Sequence, residues 1–305
     1  MKRFFQRRLP YWQMYLFMLL PAVYIITFAY VPMAGLRIAF QEFNITAGMN
    51  GSPWVGLYYF KHFLKAYQFK NVLYNTLSIQ LYGLCAGFPF PILFAIALNS
   101  VRSVRYRKFV QTVTYMPYFI SMVVMVSMLM QVFNPLTGIY GAISRALFGA
   151  TPMDLFGSTS AYPHLYVWSG VWKNFGYDSI IYIAALTAVS PSLHEAAMID
   201  GANRFQRVLH VDIPTIMPTV VIMLILSAGR IMSMGFEKSY LMQNSLNLSK
   251  SEVIATFIYK KGLGSGSSND YSYATAIGMF NSLVNTIMIV LVNTIARRIG
   301  ETSLW

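Results

Sequence analysis

The sequence predicts an all-α integral membrane protein with six transmembrane helices and both termini on the cytoplasmic side. Three observations lead there. Hydrophobic side chains make up 56% of the 305 residues and charged ones only 11%, against about 25% charged in ordinary globular domains. Long uncharged stretches recur, each able to supply the roughly 20 apolar residues that a bilayer-spanning helix needs. Lys and Arg gather in short clusters between those stretches, so the net charge of +13 reads as an orientation signal. It does not form the continuous basic stripe of a nucleic-acid-binding protein.

The first span is expected over about 12–36, within an uncharged run from Leu9 to Leu36 behind the basic segment Met1–Arg8. A run of that length exceeds the ~7–15 residues of a signal-peptide core, so an uncleaved helix is expected. The second and third spans are read over about 71–98 and 109–133, inside the uncharged runs 71–101 and 109–144. Pro89, Pro91 and Pro117 each remove a backbone donor there and favour a bent or broken helix. The fourth span, about 162–189, contains Lys173 and Asp178; the fifth, about 214–236, contains Arg230; the sixth, 272–296, lies in the uncharged run 271–296. With the N-terminus inside, the cytoplasmic pieces carry 12 Lys/Arg in 53 residues and the outer pieces 9 in 98, which satisfies the positive-inside rule. The whole chain thus reads as a single transmembrane domain, 1–305. The lone Cys85 lies in an apolar run, where it excludes an internal disulfide and reads as packing. Gly262–Asp270 reads as a flexible outer loop, Gly/Ser-rich but lacking the Gly-Lys-Ser/Thr ending of a phosphate-binding loop. No internal repeat links the two halves, unlike many secondary transporters.

The cytoplasmic loop 190–213 carries the strongest pattern. Ser192 and Glu195 have capping-box spacing behind Pro191, Gly201 suits a left-handed stop, and Pro214 suits the restart of a helix at the fifth span. Two adjacent alanines and a glycine elbow make a low-relief surface suited to docking, although an amphipathic connector has the same properties. The order Glu195-Ala196-Ala197, Asp200-Gly201, then Val211, Ile213 and Pro214 resembles the signature loop of permease subunits in bacterial ATP-binding-cassette importers. Val211 and Ile213 stand where that family more often has Ile and Leu. The resemblance extends to the carbohydrate-uptake, poly- and oligosaccharide branch through Tyr30–Met33, Ile38–Gln41, Gly51–Gly56, Ser169–Lys173, Ile181–Leu186 and Ser303–Trp305.

That resemblance implies the type I importer fold, in the bacterial inner membrane. It implies that Glu195, Ala196, Ala197, Asp200, Gly201, Arg204 and Pro214 couple the chain to an ATPase. The implied partners are a second, homologous permease, two cytoplasmic ATPases and an extracytoplasmic solute-binding protein that delivers the oligosaccharide. This chain is expected to be no enzyme and to hold no cofactor or metal, ATP and Mg belonging to the ATPases.

Ionisable residues inside spans are costly and face interiors or pathways, so Lys173, Asp178 and Arg230 are substrate-pathway candidates, with an interhelical ion pair to Asp178 or Glu237 as the structural alternative. Asn174 and Asp178 share one helix face by their four-residue spacing, and Arg230 and Glu237 are expected to share a face of the fifth span. Trp172, Tyr182, Asn281 and Asn285 complete the set, as aromatic and amide groups suited to sugars or to holding helices together. Lys61, Lys65, Lys70 and Lys260 on the outer side suit an acidic, alginate- or pectin-type oligosaccharide, a docked binding protein, or solvent alone. Two rival classes have less support. A membrane-embedded enzyme needs a convergent catalytic set, yet His62, His164, His194 and His210 fall in loops or at span ends; a proton-coupled secondary transporter needs a titrating relay, and Asp178 is the one deep carboxylate.

Overall fold

The computed structural model describes residues 12–264 and 270–299. The basic segment Met1–Arg8, most of the Gly/Ser-rich loop and the tail Ser303–Trp305 lie outside the described residues. Among those described the secondary structure is helical, with one isolated antiparallel bridge, Gln41 to Trp54. Four helices are long and apolar enough to cross a membrane, and six spans result if each of two sharply bent pairs counts as one. The contacts divide the chain into two compact units: the described residues of Met1–Ala66 with Ile258–Phe280, and those of Tyr67–Phe257 with Asn281–Trp305.

In the first unit, α1 (Trp12–Phe40) has a mean hydropathy of 2.0, with none of its apolar window buried. Its sequence explains a local irregularity. Pro32 has no N–H to give and its ring would clash with the carbonyl four residues back. The turn Ile26–Tyr30 widens to a π-helix, closed by Val31 N–H donating to Ile26. The segment after α1 is pinned by the Gln41 amide, which donates to Met49 and Ser52 carbonyls at 3.0 and 3.2 Å. Within α2 (Tyr58–Lys65), Phe63 is buried against Tyr273 and Phe280, ring centroids 6.3 and 5.5 Å away.

The second unit opens with α3 (Tyr67–Asn99), 33 residues that continue past Pro89 and Pro91. The interruption expected at these prolines is slight: the helical stretches Tyr67–Gly87 and Pro89–Asn99 are separated by Phe88 alone, and Phe88 N–H still reaches Leu84 at 3.0 Å. Pro117 does break its span. Helix α4 (Val104–Phe119) and α5 (Met122–Val132) meet at 99°, with Ser121 extended and capping α5 by accepting from Val124 N–H at 3.3 Å. After α6 (Ile139–Phe148) comes α7 (Ala161–Thr187), 27 residues and roughly 40 Å at 1.5 Å per residue. It buries Tyr162 and Val167 with Ile79, Met125, Val126 and Met242 in one cluster, and Tyr182 and Leu186 with Ala95 and Ile216 in another.

Helix α8 (Pro191–Ile199) turns 68° from α7, because Pro191 holds Ser190 extended and takes the first helical turn itself. Helix α9 (Arg204–Ala228) is one 25-residue element. The restart expected at Pro214 is therefore corrected: the turn Val208–Asp212 widens to a π-helix, Ile213 N–H donates to Val208, and the helix runs through the proline. Pro32 and Pro214 are accommodated by the same device in the same register. Helices α10 (Phe236–Met242), α11 (Ile254–Gly262) and α12 (Tyr271–Ile299) follow, with single helical turns at Gly48–Gly51 and Leu248–Ser251 besides.

Candidate functional sites: a capped elbow and a polar cavity

The elbow joins α8 to α9. Gly201 has φ +79°, a conformation that side chains disfavour. Around it, Ala202 N–H donates to Ala197 at 2.9 Å and Gly201 N–H to Met198 at 3.1 Å, the paired bonds of a Schellman stop. Asp200 is the C-cap. The capping box lies elsewhere than expected. Ser192 is inside α8, its Oγ 2.7 Å from Ser190 Oγ, because Pro191 claims the first turn and leaves Ser190 as N-cap without a side-chain bond. The box closes instead at Asn203 and Gln206: Gln206 N–H donates to Asn203 at 2.9 Å and Asn203 N–H to Gln206 at 2.8 Å. Asp212, buried in the π turn, lies 3.2 Å from His194 Nε2, tying α8 to the base of α9. Glu195, Ala196 and Arg204 remain exposed, as do Ile199 (87%) and Phe205 (74%). Bulky apolar residues on either side of a glycine stop make a surface that favours a partner over water.

The cavity, about 660 Å³, lies among α3, the start of α5, α7, the end of α9 and α10. That volume is within the range of small-ligand sites. It gathers Lys173, Asn174, Asp178, Tyr182, Arg230 and Glu237, together with Gln80 and Lys238, which the sequence reading did not single out. Trp172, Asn281 and Asn285 do not line it. Asn285 accepts from Met232 N–H at 3.0 Å and donates to Ser233 Oγ at 2.9 Å, closing the turn where α9 stops. Asn281 keeps its Oδ1 buried without a partner.

Two further expectations are corrected here. Helix α9 ends at Ala228, followed by tight turns in which Arg230 N–H donates to Ser227 and Ile231 N–H to Ala228. Arg230 and Glu237 thus share the cavity without sharing a helix face. Nor does an ion pair hold the bundle: among the described residues, no oxygen of Asp178 or Glu237 comes within 4 Å of a nitrogen of Arg230 or Lys173. Lys173 is engaged otherwise. Buried on α7, its ammonium donates to the carbonyls of Pro117 (3.4 Å), Tyr118 (2.8 Å) and Ile120. Lys238, also buried, donates to the Tyr166 carbonyl at 2.5 Å and stands 4.4 Å from the Tyr166 ring centroid. Two residues past the expected end of the fifth span and next to Glu237, it resembled a solvated loop lysine in the sequence. Lys61, Lys65 and Lys70 are exposed and Lys260 is half-buried.

Residues 87–301 match the family model described as "Binding-protein-dependent transport system inner membrane component". The chain belongs to this family. It is 38% identical to the polygalacturonan/rhamnogalacturonan transport system permease protein YteP of Bacillus subtilis, over 96% of this chain and 90% of that one. Protein LplB of the same organism is 36% identical, over 96% and 91%. A solved chain from a bacterial ABC transporter involved in the import of the acidic polysaccharide alginate superimposes with a TM-score of 0.88 at 32% identity, covering 98% of this chain and 99% of that one. A second crystal structure, of the bacterial alginate transporter with an alginate pentasaccharide-bound periplasmic protein, matches equally. The permease fold read from the loop is therefore this chain's fold.

Proposed function

We propose that the chain is the permease of an importer that moves an oligosaccharide, handed over by a solute-binding protein, by alternating access driven by separate ATPases. The observation that carries this reading is the continuity of α9. It begins at the exposed elbow and ends beside the polar cavity, so a displacement at one end reaches the other through one rigid element. Glu195, Ala196, Ala197, Asp200, Gly201 and Arg204 form the ATPase-docking face, and Pro214 sits where the π turn joins the elbow to the rest of α9. The exposed apolar α1 supports a second permease subunit or lipid as its neighbour. ATP and Mg belong to the ATPases. In the orientation proposed, the elbow and both termini face the cytoplasm of a multi-pass inner-membrane protein, as the charge bias requires.

The cargo proposed is an acidic, uronate-containing oligosaccharide. Lys173, Arg230 and Lys238 line the cavity with two carboxylates; the two lysines are held by backbone carbonyls, and exposed Arg230 suits bidentate recognition of a sugar carboxylate. The relatives' names point to uronic acid polymers as well. The test is uptake by the reconstituted importer of a uronate oligosaccharide against a neutral one of equal length. Preference for the uronate is expected; equal uptake of both would overturn the acidic-cargo reading, and uptake independent of ATP would overturn the importer reading.

A further inference from the structure

The break in the third span is held by one side of α7. Lys173, Gly176 and Tyr177 follow the 0, 3, 4 spacing of a single helix face, and each engages the break differently. The Lys173 ammonium sits among the carbonyls of Pro117, Tyr118 and Ile120. Gly176 lets the backbones meet, since a Cβ there would overlap the Thr114 carbonyl. The Tyr177 ring lies flat on Tyr118, centroids 3.7 Å apart at 4°.

A helix that stops leaves its last carbonyls short of donors; Pro117 still accepts from Ile120 N–H at 3.2 Å, and inside a membrane broken backbone persists only where protein or a water-filled cavity satisfies it. Elsewhere unwound carbonyls of this kind coordinate a bound cation. Here the cation is covalently attached, with three N–H donors and no acceptor. The same residue lines the cavity alongside Met122, where α5 restarts. We propose that Lys173 is a tethered cation that keeps the third span broken at Pro117–Ser121, and so is a positioning residue for the cavity with no sugar contact of its own.

The experiment uses the full importer with Lys173→Met and Lys173→Ala, measured for uptake and for melting temperature. In both variants the maximal uptake rate is expected to fall about tenfold while the half-saturating sugar concentration stays within about twofold. Ethylammonium in the medium is expected to restore Lys173→Ala uptake to within about threefold of wild type and to raise its melting temperature. Tetramethylammonium, which has the charge but no N–H donors, is expected to do neither. Wild-type uptake in Lys173→Met overturns the proposal. So does a loss confined to acidic sugars with a raised half-saturating concentration, which marks a sugar contact. Absence of any amine effect on both uptake and melting overturns it too, even if Lys173→Met folds poorly. The uptake arm rests on the importer reading and the melting arm does not, so the two readings fail separately.

Discussion

The elbow and the cavity stand at opposite ends of α9, and they are built on different principles. The elbow is made of backbone: a Schellman stop at Gly201, a capping box at Asn203 and Gln206, and a π turn ahead of Pro214. The cavity is made of side chains converging from five elements, with none of its charges paired by an ion pair among Lys173, Asp178, Arg230 and Glu237. A backbone device transmits force because it has few alternative conformations. Lys173 and Lys238 are held by backbone carbonyls, while Asp178, Arg230 and Glu237 make no ion pair with one another and can exchange water for the hydroxyls and carboxylates of a hydrated ligand. The difference teaches that substitutions at the two ends must fail in different ways, one in coupling and the other in selectivity.

The largest effect expected is at Gly201. In Gly201→Val a β-branched residue is forced into the left-handed region, costing about 1–2 kcal/mol in backbone energy alone. Uptake and sugar-stimulated ATP hydrolysis should both fall about tenfold or more, with less ATPase co-purifying, whatever sugar is supplied. Next comes Arg230→Gln at the other end. Loss of a charge-assisted contact, about 1.5–3 kcal/mol, should lower uptake efficiency for an acidic oligosaccharide ~10–100-fold and leave a neutral one little changed. If Arg230→Gln reduced both sugars alike, the division between the two ends would be wrong.

How far the sequence revealed these two ends follows from the same difference. Glu195-Ala196-Ala197 and Gly201 were legible because a stop signal lies in consecutive residues, and the six apolar stretches were legible because burial in lipid needs about 20 of them in a row. Even so, the capping box was assigned to the wrong pair. Ser192 and Glu195 have the required spacing, but Pro191 is better suited to the first helical turn than to the position before it, and it shifts the N-cap back to Ser190. The cavity was half legible. Costly charges such as Asp178 and Arg230 announced themselves, whereas Gln80 and Lys238 gave no periodic signal and needed the packing of α3 and α10 to bring them in. The end of α9 at Ala228 was passed over because Ile231, Met232 and Met234 keep the segment apolar beyond the stop signal that Gly229, the C-cap, supplies. The turn that follows it is held by a contact far along the chain, Met232 N–H donating to Asn285.

Two smaller substitutions sharpen the elbow. His194→Ala removes the ring 3.2 Å from buried Asp212 Oδ1, an oxygen with no hydrogen bond of its own, and is expected to cost about 1 kcal/mol, read as a slightly lower melting temperature of the complex with uptake largely kept. Asn203→Ala opens the capping box and is expected to cost about 1 kcal/mol, read as faster amide hydrogen exchange at Gln206 and Arg207 with uptake nearly intact.

The central claim is that α9 carries motion from elbow to cavity as one rigid element. It is tested most directly by loosening the helix between its ends while leaving both ends untouched. Met217 and Leu224 are exposed positions on α9, and glycine at each weakens the helix by about 1 kcal/mol. The quantity to measure is oligosaccharide imported per ATP hydrolysed in the reconstituted complex carrying Met217→Gly and Leu224→Gly. The account predicts that ATP hydrolysis continues while sugar moved per ATP falls several-fold; an unchanged ratio in a stably folded complex would contradict it.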